Sequence, residues 1–492
     1  MPATPQILPD TPENRQLAEN VHPRHWVTPE PAERYNLVVI GAGTAGLICA
    51  AGAAGLGAKV ALIERNLLGG DCLNTGCVPS KALIRAARAM HDVRAASEFG
   101  MQGCNTAVVD FKIVMERMQR VRAGISQHDS AKRFRDELGV DLFIGEACFS
   151  GPDRVFVDGK TLQFKKAAIC SGARASAPPV PGLAEAGYLT NETVFSLTEL
   201  PLHLAVIGAG PIGCELAQTF CRFGSKVTLI ELAPSILGRE DRDAAAILQE
   251  TLIREGVDLQ LGVKISAVES RGNRKVLQLE QKGQVREVSV DQILVGVGRA
   301  PNTEGLALQA AGVEFDRSGI KVNDRLQTTN ANIYAAGDVC SAYKFTHMAD
   351  AQARILLANA LFMGRQRSSN LIVPWCTYTD PEIAHVGMYE QDAIARGISV
   401  TTVSIPLSDV DRAVLDGETE WFARVHLHKG TDRILGATIV ARHAGEMINE
   451  LTLAITYNLG LGAIARTIHP YPTQAEVVRK LADAYTRSRL TP

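Results

Sequence analysis

The chain has 492 residues, 46% of them hydrophobic and 21% charged, with a formal net charge of −2. That length holds about three domains with ample cores, and the near-neutral balance argues against nucleic acid or an anionic membrane as partner. Ten cysteines, with only one close pair framed by turn residues, fit a reducing cytoplasm better than a secreted disulfide framework, and no basic-then-apolar leader is expected at the start.

Residues 1–34 carry prolines at 2, 5, 9, 12, 23, 29 and 31 and match no motif. A flexible arm is expected there, with Trp26 as an anchor. Tyr35–Ile40 reads as a buried parallel strand. Gly41-Ala-Gly43-Thr-Ala-Gly46 follows, then a small-residue helix, then Lys59–Glu64 as a second strand ending in an acid. The uncharged run from Leu37 to Ala58 is long enough to span a bilayer. Its six glycines point instead to a buried strand-turn-helix, so no membrane span is expected.

Next comes Gly69-Gly70-Asp71-Cys72-Leu73-Asn74-Thr75-Gly76-Cys77-Val78-Pro79-Ser80-Lys81. Residues five apart on a regular helix point about 140° away from each other, whereas a disulfide needs Cα atoms within about 7 Å. The backbone must therefore leave the helix between Cys72 and Cys77, and Gly76 permits this. Pro79 suits the first turn of the helix that follows. Lys81 lies four residues after Cys77 on the same helical face, where its ammonium favours a thiolate or a flavin anion.

This segment resembles the redox-active motif of the flavin-dependent pyridine nucleotide-disulfide oxidoreductases, the family of lipoamide dehydrogenase, glutathione reductase and mercuric reductase. The resemblance implies that Cys72 is the outer thiol that meets substrate and Cys77 the inner thiol beside the flavin.

The glycine pattern returns. Leu204–Ile207 leads into Gly208-Ala-Gly210-Pro-Ile-Gly213, a helix, and Lys226–Glu231. Glu64 lies 21 residues after Gly43 (64 − 43) and Glu231 lies 21 after Gly210 (231 − 210). Each copy is a dinucleotide fingerprint in its strand-turn-helix setting. The first glycine makes the tight turn, the second lets the backbone approach a pyrophosphate, and the third lets helix and strand pack closely. The helix N-terminus adds partial positive charge, and the acid can bind ribose hydroxyls. The resemblance implies FAD on the first copy and NAD(P)H on the second. A carboxylate welcomes a free 2′-hydroxyl and repels a 2′-phosphate, so Glu231 predicts NADH, with NADPH possible because Arg239 lies nearby. Glu215, on the helix after the second turn, is implied to pair with Lys81.

Ala167-Ala-Ile-Cys170-Ser171-Gly172 resembles the family segment where the chain leaves the flavin domain, with Ser171 and Gly172 as contacts and Cys170 as packing. Val295–Asn302, with Gly298, resembles the return segment. Asn332–Asp338 is a strand running into Gly-Asp, and Asp338 matches the acid that binds the FAD ribityl chain.

From about Val373 the sequence resembles the family's interface domain, which implies a homodimer with each active site completed by the partner. Near the end stands His469-Pro470-Tyr471-Pro472-Thr473-Gln474-Ala475-Glu476. The family's disulfide reductases carry an acid–base histidine where Tyr471 stands, with a glutamate five residues on to orient it, and Glu476 keeps that spacing. A phenol with pKa near 10 is a poor proton acceptor at neutral pH. Mercuric reductases also place tyrosine here. Unlike them, the sequence closes on Arg487–Pro492 without a cysteine pair, and no N-terminal CxxC module is expected. His469 shares a face with Tyr471 in an extended backbone and is either an alternative base or a structural histidine.

The expected architecture is α/β, with two Rossmann-like dinucleotide-binding domains and a C-terminal α+β dimerisation domain. The expected division is an arm at 1–34, FAD binding at 35–180 and 299–372, NAD(P) binding at 181–298, and dimerisation at 373–492. The expected activity is mercuric reductase-like: NAD(P)H reduces FAD, then the Cys72–Cys77 disulfide, then a disulfide or soft metal ion. The alternatives are a dihydrolipoyl dehydrogenase, acting on a lipoyl-type substrate, and a flavin-bound redox sensor or structural subunit. No resident metal is expected.

Overall fold

The computed structural model describes residues 5–490; Pro2 of the arm and the closing Thr491–Pro492 lie outside the described residues. The arm is not free. Its residues 12–21 form helix α1 (Pro12–Val21), with Thr11 as N-cap accepting from the Asn14 N–H at 3.2 Å. Pro12 falls in the first turn, where a missing N–H costs nothing. Leu17 and Val21, one turn apart, are fully buried in the first core, a burial worth roughly 1.5–3 kcal/mol for each side chain. Trp26 anchors the exit, its Nε1 donating to the Leu142 carbonyl at 3.0 Å. Proline richness suggested flexibility; helix-compatible proline placement and an apolar stripe overrode it.

The first dinucleotide unit runs β1 (Tyr35–Ile40), α2 (Thr44–Gly55) and β2 (Val60–Glu64). The chain then makes α3 (Gly70–Asn74), α4 (Cys77–Ala95) and α5 (Phe111–Ile125) before returning as β3 (Asp141–Ile144) and β4 (Lys160–Ile169). These strands form a parallel sheet in the order β3–β2–β1–β4. Leu37 and Val39 face one core and Val38 and Ile40 another, so the sheet is buried on both sides.

The second unit repeats the pattern with β5 (His203–Ile207), α6 (Pro211–Phe223), β6 (Lys226–Glu231), β7 (Asp258–Leu261) and β8 (Gln292–Val295). Its order is β7–β6–β5–β8, all parallel. The chain then rejoins the first sheet through β9 (Ile333–Ala335), parallel to β4, and α7 (Thr346–Leu361) packs against α2. The last region is an antiparallel sheet of β10 (Pro374–Thr377), β11 (Glu382–Gly387), β12 (Val400–Pro406), β13 (Phe422–His428) and β14 (Ile434–Ala441), ordered β10–β11–β14–β13–β12. Helices α8 (Ala444–Thr456) and α9 (Glu476–Leu490) bury Ile448, Leu451, Val477 and Leu481 in its core. Among the described residues no helix is long and apolar enough to cross a membrane. The run read as strand-turn-helix is β1 and α2.

Candidate active site

The break between the two cysteines has a clear origin. Helix α3 ends at Asn74, and Gly76 takes φ −131°, ψ −114°, outside the helical region. A Cβ on Gly76 would lie 2.8 Å from the Asp71 carbonyl oxygen, so only glycine fits this reversal. Helix α4 restarts at Cys77, and the two unbridged thiols come within hydrogen-bonding reach of each other. The surroundings favour the proton on Cys72 and the negative charge on Cys77. The Cys72 thiol, the Thr346 hydroxyl and the Lys81 ammonium draw Cys77 down to about 6, against burial. Cys72 is pushed up by its hydrogen bond to Cys77, by burial and by the nearby Asp129 carboxylate. The Thr346 Oγ1 lies 3.4 Å from Cys77 Sγ.

Lys81 and Glu215 meet as expected: Lys81 Nζ donates to Glu215 Oε2 at 2.8 Å. The other carboxylate oxygen accepts the Tyr378 N–H at 2.9 Å, and Lys81 Nζ sits 4.5 Å from the centre of the Tyr378 ring. Burial pulls the Lys81 ammonium down, but the charge and hydrogen bond of Glu215 outweigh it and hold the lysine protonated.

The two glycine turns are near copies. Gly41 and Gly208 have φ of +97° and +98°. A Cβ on Gly46 would lie 1.8 Å from the Gly41 carbonyl oxygen, and one on Gly213 would lie 1.8 Å from that of Gly208. Gly43 and Gly210 stand at the N-caps of α2 and α6 without any side-chain cap, so the first-turn N–H groups are free for phosphate oxygens. A Cβ on Gly210 would meet nothing within 4 Å. These cradles fit a dinucleotide pyrophosphate.

The two acids have a further task that spacing did not reveal. Glu64 accepts the Ala42 N–H at 2.6 Å and the Asn66 N–H at 2.8 Å. Glu231 accepts the Ala209 N–H at 2.7 Å and the Ala233 N–H at 2.9 Å. Each carboxylate pins its own glycine loop.

Ser171 Oγ donates to the Asn302 carbonyl at 2.7 Å, and Asn302 N donates to the Gly172 carbonyl at 2.9 Å, tying the exit and return segments together. Gly298, at φ +144°, accepts from the Ser176 N–H. Asp338 is half-buried, and burial raises its carboxyl. It lies 3.5 Å from Arg299 Nε, and Arg299 also pairs with Asp71 of the redox segment. Sequence reading assigned no role to Arg299, Asp71, Thr346 or Tyr378. Asp71, Arg299 and Tyr378 stand inside segments that resemble the family; Thr346 carries no local signal.

The C-terminal group is arranged differently from its spacing. Glu476 is not the partner of Tyr471: it starts α9 and pairs with Arg479 at 2.9 Å, one turn on. Tyr471 OH donates to Asp411 Oδ2 at 2.8 Å, and that carboxylate holds the phenol above its usual range. His469 and Tyr471 have separate partners. The His469 Nε2 meets Glu450 at 2.9 Å and its Nδ1 meets the Thr467 carbonyl at 3.0 Å. Each ring nitrogen thus lies against an oxygen. Tyr471 and Ile468 are 68% and 96% exposed, on the outside of this subunit. Among the described residues no cluster of histidine, cysteine and carboxylate side chains forms a metal site.

Two glycine cradles, a thiolate-poised cysteine pair and a lysine–glutamate ion pair define a two-nucleotide dithiol oxidoreductase. The chain matches the model of the pyridine nucleotide-disulphide oxidoreductases over residues 35–353 and that family's dimerisation domain over residues 373–482. It is 35% identical to a mercuric reductase of Staphylococcus aureus over 91% of this chain and 82% of the relative. It is 36% identical to a dihydrolipoyl dehydrogenase of Thermus scotoductus over 92% of this chain and 97% of the relative. Among solved structures, the Cu(II) complex of the HOCl-induced flavoprotein disulfide reductase RclA from Escherichia coli superposes with a TM-score of 0.81 at 30% identity, covering 90% of this chain and 98% of that one. The chain belongs to the pyridine nucleotide-disulphide oxidoreductase family. It is therefore an FAD-dependent oxidoreductase with NAD(P)H as electron donor.

Proposed function

We propose that this enzyme uses NADH to reduce the Cys72–Cys77 pair and passes the two electrons to a soft metal ion, with small disulfides as poorer acceptors. The observation that carries the reading is the broken helix that brings Cys72 to Cys77, with Cys77 drawn down to about 6 beside the Lys81–Glu215 pair. Bound FAD supplies the two-electron relay between nicotinamide and sulfur. Gly41, Gly43, Gly46, Glu64, Ser171, Gly172 and Asp338 would hold the FAD, with Lys81 supplying positive charge beside the cysteine pair. Gly208, Gly210, Gly213 and Glu231 would hold NADH, where Glu231 would repel a 2′-phosphate.

In this reading reduction breaks the Cys72–Cys77 bond and leaves a thiol on Cys72 and a thiolate on Cys77. Lys81 neutralises the charge that accumulates on sulfur. A disulfide acceptor then needs a proton delivered to its leaving thiolate, whereas a metal bound by two sulfurs does not. Tyr471 is ill placed to move that proton, because its hydroxyl proton is already given to Asp411. Overall similarity does not choose, since the mercuric reductase and dihydrolipoyl dehydrogenase relatives stand at 35% and 36% identity. Leu453, Tyr457, Ile468 and Tyr471 of the C-terminal region are exposed, and we infer a homodimer formed through that region, each subunit bringing its Tyr471 segment to the partner's cysteines.

A second reading, dihydrolipoyl dehydrogenase, is favoured by the His469–Glu450 contact at 2.9 Å, a histidine–carboxylate pair of the kind that moves protons. NADH oxidation driven by Hg(II), by lipoamide and by a small aromatic disulfide separates the two. Hg(II) is expected to be the best acceptor, and Tyr471→His is expected to gain disulfide turnover. Lipoamide as the best acceptor, abolished by His469→Gln, would establish the second reading instead.

A further inference from the structure

We propose that α1 and Arg122 form a brace that positions the Cys72–Cys77 loop, which makes Asn14 and Arg122 positioning residues for the thiol chemistry; this rests on the redox role given to that pair. The family match starts at residue 35, so α1 lies ahead of it. The helix lies on α5, where Thr11 Oγ1 donates to Gln119 at 2.9 Å and Asn20 Nδ2 to Ser126 Oγ at 2.8 Å.

Arg122 of α5 is the link. Its side chain is buried between α1 and the redox segment. Nη2 donates to Asn14 Oδ1 at 2.8 Å, and Nη1 donates to the Asn74 carbonyl at 2.7 Å. Asn14 is itself buried and oriented, its Nδ2 donating to the Pro9 carbonyl at 2.9 Å. Asn74 stands between the two cysteines, at the last helical position before the break. Its side chain donates back to Leu68 O at 2.9 Å and Gly70 O at 2.8 Å. The end of α1 also grips the start of the segment: Leu68 N donates to Val21 O at 3.0 Å, and His22 Nδ1 contacts the Asn66 carbonyl. The stretch 66–74 is thus held at both ends.

A cation this deep persists only when hydrogen-bonded. Burial draws the guanidinium down to about 10, so it stays charged at neutral pH. A charged donor on the final carbonyl of α3 supplies the partner that a helix C-terminus lacks. It fixes the peptide from which Thr75 and Gly76 turn the chain back toward Cys72.

The test uses full-length, FAD-loaded protein. Amide exchange of residues 70–76 and the pH profile of the thiolate–flavin charge-transfer band are measured for wild type, Arg122→Met, Arg122→Lys and Asn14→Leu. Exchange in Arg122→Met is expected to rise about tenfold or more within that segment, while the C-terminal sheet keeps its protection. The band's pH midpoint is expected to move, with Arg122→Lys restoring part of both effects. Should Arg122→Met fail to fold, Asn14→Leu decides, since it removes one acceptor and leaves the guanidinium in place. Wild-type exchange and an unmoved midpoint in the folded variants would overturn the brace, as would a rise spread evenly over the whole chain. A wild type without the band would instead sink the redox role, leaving segment exchange to judge the brace.

Discussion

Replacing Thr346 by valine keeps the shape of the side chain and removes the hydroxyl 3.4 Å from Cys77 Sγ. In the intact protein Cys77 stands at about 6 against the ordinary 9.0, first through the hydrogen bond from Cys72, then through Thr346 and Lys81, with burial opposing. At pH 7 this leaves about 90% of Cys77 as thiolate, against about 1% for an unperturbed thiol. A hydrogen bond to a charged group contributes about 1.5–3 kcal/mol, equivalent to about one to two pH units. The contact is long, so the lower figure applies, and the variant's midpoint is expected near 7, with about half the thiolate left at pH 7. The sign follows from the lowered value: thiolate is present above the midpoint and lost as pH falls through it, so the variant loses it at higher pH. The assay is an anaerobic titration of two-electron-reduced enzyme from pH 5 to 9, following charge-transfer absorbance and, in parallel, the rate of alkylation by iodoacetamide. A midpoint in Thr346→Val within about 0.2 units of wild type would refute the assigned hydrogen bond.

Glu231→Gln places an amide N–H₂ against one of the two backbone N–H groups that the carboxylate now accepts. Its kcat/KM with NADH is expected to fall about tenfold while discrimination against NADPH narrows; an unchanged ratio in steady-state kinetics would contradict the role of that acid. Leu17→Ala opens a cavity under α1, where Leu17 is 1% exposed. Denaturant unfolding is expected to show a loss of about 2–4 kcal/mol, and limited proteolysis should begin to cut the arm. A loss below about 0.5 kcal/mol would mean that the arm does not dock.

The two dinucleotide turns were legible because their constraints are local. Gly41 and Gly208 need positive φ, and Gly46 and Gly213 leave no room for a Cβ against the turn just before them. The break after Cys72 was legible for the same reason, since Gly76 faces the carbonyl of Asp71 five residues back. Spacing failed at the C-terminus. Five residues separate Tyr471 from Glu476, yet Glu476 opens a helix and finds Arg479 one turn ahead, which leaves Tyr471 to Asp411 and His469 to Glu450. Composition failed at the arm, where prolines at 9 and 12 flank a helix start instead of preventing one.

The residues of this chain by themselves determined where the backbone bends, which strands are buried on both faces, and that the helix can break between Cys72 and Cys77. These follow from steric limits between atoms a few residues apart. The tertiary structure alone decided what surrounds the two sulfurs. Thr346 reaches Cys77 across 269 positions of sequence, Glu215 reaches Lys81 across 134, and Asn14 reaches Arg122 across 108. Such pairings are set by which helix packs beside which sheet, and no short-range spacing carries that information.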